Sequence, residues 1–231
     1  MPTCSRPPTL PPAVSPSSSA PVIADIVDFW LADSLDSPER ASARREWWYR
    51  GGPEADSEIR ARFGALVARA CAREPEPMGW RETPEGALAL ILLLDQFTRN
   101  IHRGTVDAYA GDAPALEIVG HAIHHGLDRA LHPVARIWLY HPYHHSEELT
   151  EQDRGLDLLR ALRQEADPAW RAYVDRSIEG WTRHRDIVAR FGRFPHRNVV
   201  LGRASTPEEE AHMAAGGESF GQGLQGGGAA A

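Results

Sequence analysis

The chain is short of cysteine, of long apolar runs and of strand-like alternation, and each shortage excludes something. Cys4 and Cys71 are the only cysteines among 231 residues. Two thiols so placed make no disulfide framework and fit a reducing compartment, so a cytoplasmic protein is expected. The continuous apolar stretch Ala87 to Leu94 falls far short of a membrane span, so no membrane partner is expected. The first residues contain Arg6, but prolines interrupt any apolar core, which argues against a secretory signal. No glycine-rich phosphate loop, dinucleotide fingerprint or nucleophile elbow is present. No cofactor is expected on that ground, and covalent catalysis has no candidate. A net charge of −7 with neutral histidines is a poor match to nucleic acid, so no nucleic-acid partner is expected.

What is present is helical periodicity. Residues 1–21 are rich in Pro, Ser, Thr and Ala and residues 216–231 in Gly, Ala and Gln, so both read as tails around one helical domain, 22–215. Ile23, Ile26, Val27, Trp30 and Leu31 share one face, and Ile59, Phe63, Leu66, Val67 and Ala70 share another. Thr83-Pro84-Glu85, Asp167-Pro168 and Thr206-Pro207-Glu208-Glu209 are cap-then-proline starts. A helix is expected from Thr83 to about Arg103, and another from His132 that breaks after Tyr140 at Pro142. Long helices joined by short turns predict an all-α fold, an irregular antiparallel array built as a superhelix or a bundle.

Polar groups gather at two places. Beyond the apolar half of the Thr83 helix, Asp95, Gln96, Arg99 and Arg103 continue the stripe of Leu88 and Leu92, with Asn100 beside them. Asp95 and Arg99 form an internal i,i+4 ion pair, or Gln96, Arg99 and Arg103 line a pocket at the end of the core; both readings stand. The segment Phe191 to Asn198 packs Arg193, His196, Arg197 and Asn198 beside Phe and Pro, which points to carboxylate partners or to an anionic ligand. Arg183, Arg185, Arg190 and Arg203 flank it, and acids elsewhere in the fold can neutralise this cluster. Histidines also crowd together: His141, His144 and His145 with Glu147 and Glu148, then His121, His124 and His125, and His184 alone. HExxH is absent, Pro142 disturbs the His141–His145 pair, and Ser146 with Glu147 and Glu148 reads as a helix start, so no metal is expected.

Leu93-Leu94-Asp95-Gln96-Phe97-Thr98-Arg99-Asn100 with Arg103 resembles the signature of the bacterial domain of unknown function 924 family. The likeness runs through Asp28-Phe29-Trp30, Thr83-Pro84-Glu85-Gly86, Tyr140-His141-Pro142 with His145-Ser146-Glu147, Arg185-Asp186-Ile187, Arg190 to Asn198, Leu201-Gly202-Arg203 and Thr206 to Glu209. It implies a helical array similar to tetratricopeptide repeats and carries no settled activity. His145, Glu147, Arg193, His196, Arg197 and Asn198 fall on its signature positions, whereas His121, His124 and His125 lie outside it.

The sequence therefore predicts a polar site of Asp95, Gln96, Arg99, Asn100, Arg103, Arg193, His196, Arg197 and Asn198, holding a small anionic molecule or a peptide. An acid–base enzyme, metal-independent or metal-assisted, using His145 or His196 with Glu147 is the alternative, and a scaffold with these clusters as internal locks is a third. Substrate, reaction and oligomeric state are not legible.

Overall fold

The computed structural model describes residues 19–220. Among them it contains helices and turns and no strand. Most of residues 1–21 and of 216–231, expected as tails, lie outside the described residues. Helix α1 (Ala20–Leu31) buries Ile26, Trp30 and Leu31. Helix α2 (Pro38–Arg50) starts on Ser37, whose side chain accepts the Arg40 N–H. Helix α3 (Gly52–Cys71) buries Ile59, Phe63, Val67 and Ala70, the expected stripe. A single turn, α4 (Pro75–Met78), leads to α5 (Pro84–Ile91), which opens as expected with the Thr83 side chain accepting the Gly86 N–H at 3.2 Å.

Helix α5 continues without a break into a π-helical turn, Leu92–Phe97, and then α6 (Thr98–Ile101). Helices α1, α3, α7 (Asp112–His124) and α8 (Pro133–His145) pack around this rod. Enclosure on all sides is what an all-apolar helix requires. Every residue from Ala87 to Asp95 is buried, so a leucine-to-alanine change here costs about 2–5 kcal/mol. Gly111 comes so close to the π turn that a Cβ would stand 2.0 Å from the Leu94 carbonyl oxygen, and only glycine fits there.

Helices α8, α9 (Leu149–Glu165) and α10 (Pro168–Phe191) pack in succession, and α2 leans on α10. Helix α8 does not break at Pro142 as expected. Proline lacks the N–H that would reach the Trp138 carbonyl. Burial of Tyr140, His141, Tyr143 and His144 against neighbouring helices carries the helix on to His145. Gly192, at φ +68°, ends α10 in the left-handed region, its N–H on the Val188 carbonyl. Helix α11 (Pro207–Ala214) closes the described chain with the expected cap at Thr206.

Candidate functional site

A cleft of about 650 Å³ opens where the π turn, α8, α10 and the turn Pro195–Arg197 meet, with α2 at its mouth. Such a volume suits a small organic molecule. Room exists because Ser177 and Gly180 are small on the α10 face that also carries Trp181 and His184. These four are spaced i, i+3, i+4 and i+7, one helical stripe.

Asp95, fully buried, is the hub of the inner end. Its Oδ1 lies 2.7 Å from His145 Nδ1 and 3.0 Å from the Arg99 guanidinium, and Gln96 donates to its other oxygen. Both anticipated roles of this stripe thus coexist: the i,i+4 pair forms, and Gln96, Arg99, Asn100 and Arg103 line the cleft. The π turn explains why. Its wider i→i+5 bonding adds a residue to the turn that carries Asp95 and Gln96, so the stripe leaves the register of a regular helix there. Asn100 and Arg103 both donate to Asp56 of α3, at 2.7 Å and 2.9 Å.

Arg99 pairs a second time, with Asp112 at 2.9 Å. Arg197, 6% exposed, reaches the same Asp112 at only 3.8 Å. Its other contacts are the His145 carbonyl at 2.9 Å and the faces of Tyr109 and Phe194. Its Nε–H is buried without a hydrogen-bond partner among the described residues. Burial and the neighbouring Arg99 hold its pKa below the usual guanidinium value. Burial pushes the Asp112 carboxyl up despite both arginines, so this anion is a costly one to keep.

Five histidines, His141, His144, His145, His184 and His196, wall the cleft. The rings of His144 and His145 lie 4.2 Å apart, and His184 stands 4.4 Å from His144. Phe220, within the segment 216–231, stacks on His184 at 3.6 Å. Burial, reinforced by nearby arginines and by one another, keeps all five neutral. The pKa falls to about 4 for His141 and His184 and to about 3 for His196. His144 and His145 lie well below the ordinary imidazole value. The wall is crowded with lone pairs, yet among the described residues no three His, Cys, Asp or Glu side chains are placed to hold a metal ion.

A second polar cluster lies outside the cleft lining. Glu147 accepts Arg203 at 2.6 Å and the Phe194 N–H at 2.8 Å. Arg203 also donates to Asn198, and Asn198 donates to Ser205 and Glu209. Arg193 forks onto both oxygens of Glu209, at 2.6 Å and 2.7 Å. Glu209 in turn accepts the Thr206 N–H at 2.7 Å, completing the capping box. Each group here has a mate, and the arrangement pins α11 to the end of α10.

A model of a bacterial protein family of unknown function, DUF924, matches residues 26–217. The chain belongs to the DUF924 family. The structure of a protein of unknown function from Agrobacterium tumefaciens matches with a TM-score of 0.68 at 37% identity, covering 85% of this chain and 99% of that one. No curated protein matches.

In this DUF924 chain the fold brings Gln96, Arg99, Asn100, Arg103, His145, His196 and Arg197 to one cleft, with Asp95 beneath. It places Glu147, Arg193 and Asn198 in the adjacent lock. His141, His144 and His184 join the cleft, although in the sequence the first two are only part of a histidine and carboxylate run and His184 stands alone. Asp112 and Tyr109, which cradle Arg197, carry no local signal. The α10 stripe of Ser177, Gly180, Trp181 and His184 is the pattern that would have revealed the far wall: two small residues beside a tryptophan on one helix face.

Proposed function

We propose that the cleft binds a small anionic molecule or an anionic end of a peptide, with Arg197 as its principal contact. One observation carries this reading. Five of the six arginines between Arg183 and Arg203 pair closely with separate carboxylates: Glu218, Asp153, Glu208, Glu209 and Glu147. Arg197 shares Asp112 with Arg99, at 3.8 Å against 2.9 Å for its rival. The chain has no lysine, so its 25 basic side chains are all arginines, whose planar forks suit carboxylate and phosphate. Arg45 and Arg176 at the mouth form no ion pair among the described residues, which leaves the cleft short of anions.

Calorimetric titration with inorganic phosphate at low ionic strength tests the reading. Binding lost in Arg197→Gln without loss of fold supports it, and equal binding by that variant sinks it. The protein is on this view cytoplasmic, with one domain over residues 22–215 and a helical array similar to tetratricopeptide repeats. Cys71, a half-buried thiol with no disulfide among the described residues, accords with the compartment, and the successive α8, α9 and α10 pairs accord with the repeat-like array. No helix of the described residues is long and apolar enough to cross a membrane.

The enzymatic alternative keeps one specific support, the His145–Asp95 contact, which orients an imidazole as a general base requires. His196 stands in the same cleft, whereas both oxygens of Glu147 already accept hydrogen bonds. Mass spectrometry of an organic anion incubated with the protein separates the two. Chemical change that requires His145 favours the enzyme; an unaltered compound favours binding alone.

A further inference from the structure

We propose that the ligand is a polyhydroxylated organic anion, of the sugar-phosphate or sugar-acid class, whose hydroxyls donate to a ring of histidine Nε2 atoms while its anionic group meets Arg197. The inference rests on the anion-binding reading and adds the chemistry of the rest of the ligand.

The tautomers follow from geometry. His141 Nδ1 lies 2.8 Å from the Ile137 carbonyl, and His184 Nδ1 lies 3.0 Å from the Gly180 carbonyl. A carbonyl oxygen only accepts, so each Nδ1 carries the proton. His145 Nδ1 likewise donates to the Asp95 carboxylate. In a neutral imidazole the second nitrogen is then a bare acceptor, and burial beside Arg99 and Arg197 keeps these rings neutral. Three Nε2 lone pairs thus belong to rings grouped around His144, whose centroid is 4.8, 4.2 and 4.4 Å from theirs.

Among the described residues no protein donor satisfies them. His141 Nε2 is buried without a partner, and among the described residues nothing donates to Nε2 of His145 or His184. A buried acceptor without a donor, as at His141 Nε2, is unfavourable, and the Nε2 atoms of His145 and His184 stand open beside it, so a ligand that supplies donors gains most here. An ammonium donor is disfavoured by the surrounding guanidiniums, because the one carboxylate that lines the cleft among the described residues, Glu46, sits beside Arg50 at 3.6 Å. Neutral O–H groups remain. The Trp181 ring, 4.4 Å from His144, offers an apolar face beside these acceptors, as the C–H face of a sugar or polyol requires. Hydroxyls and one anionic group in a single small molecule use the whole inner cleft.

Calorimetry with ribose 5-phosphate and gluconate, set against ribose, inorganic phosphate and acetate, tests this. The hydroxylated anions should bind at least about tenfold more tightly than phosphate or acetate. His184→Phe should erase that advantage and leave phosphate affinity unchanged; His141→Phe serves as the second variant if the first melts early. Equal affinity for phosphate and ribose 5-phosphate would overturn the proposal and leave anion binding standing. No binding of any anion would overturn both. Stoichiometric zinc binding that His184→Phe abolishes would also overturn it, because the Nε2 ring would then be a metal site.

Discussion

Arg193 and Arg197 stand four residues apart and meet opposite fates. Arg193 lies in a closed network in which Glu209, Asn198, Arg203 and Glu147 answer one another with bonds of 2.6 to 3.2 Å. Arg197 lies in an open cleft, with a shared carboxylate, an unpartnered Nε–H and neutral imidazoles around it. The same residue types do structural work where donors and acceptors match and are left available where they do not. What marks a site is therefore the unmatched remainder rather than the density of charge.

Acid separates the two regions most strongly. The wall histidines have pKa values below 6.5, so the unfolded chain binds protons that the folded wall refuses. Stability is full above about pH 6.5 and falls as pH drops towards 4, on the order of 1.4 kcal/mol per pH unit for each histidine held neutral. The lock also shifts downward, but for a carboxylate that shift favours the charged form. The arginine partners hold Glu147 below the usual range and Glu209 down to about 2. Their contribution is present above the ordinary carboxylate pKa of 4.5 and fades as pH falls towards 2. Urea melts across the acid range should show the histidine loss first, and a flat curve from pH 6.5 to 4 would mean the wall is open to water.

Glu147→Gln comes next. It strips Arg203 of its carboxylate while leaving the cleft lining intact, and should lower stability by about 2–3 kcal/mol with unchanged phosphate affinity. Arg197→Gln should reverse that pattern: phosphate affinity falls about tenfold or more, with a stability change below about 1 kcal/mol. Comparable stability losses in both variants would erase the distinction between lock and cleft. Arg103→Gln is expected to weaken phosphate binding by a factor of about two, because Asp56 already holds that guanidinium.

Much of the fold is written locally. Thr83-Pro84, Asp167-Pro168 and Thr206-Pro207 each start a helix, and the apolar run Ala87 to Leu94 lies at the centre. The π turn was hidden, because Leu92–Phe97 has the composition of an ordinary helix and only tertiary packing against Gly111 distinguishes it. The pairing of arginines with acids was hidden for a similar reason. Arg203 meets Glu147 across 56 residues and Arg103 meets Asp56 across 47, distances at which local patterns say nothing. The histidine wall was half visible: His145 and His196 stood out by position, while His184 needed the small residues of its own helix face to be read with it.

The most direct measurement is a nitrogen–proton correlation spectrum of the arginine Nε–H groups during a phosphate titration, with Arg197→Gln and Arg193→Gln used to assign the two signals. A saturable shift of the Arg197 Nε–H signal is expected, while Arg193, already forked onto Glu209, stays fixed. A stationary Arg197 signal, or a linear drift shared by every arginine, would contradict it.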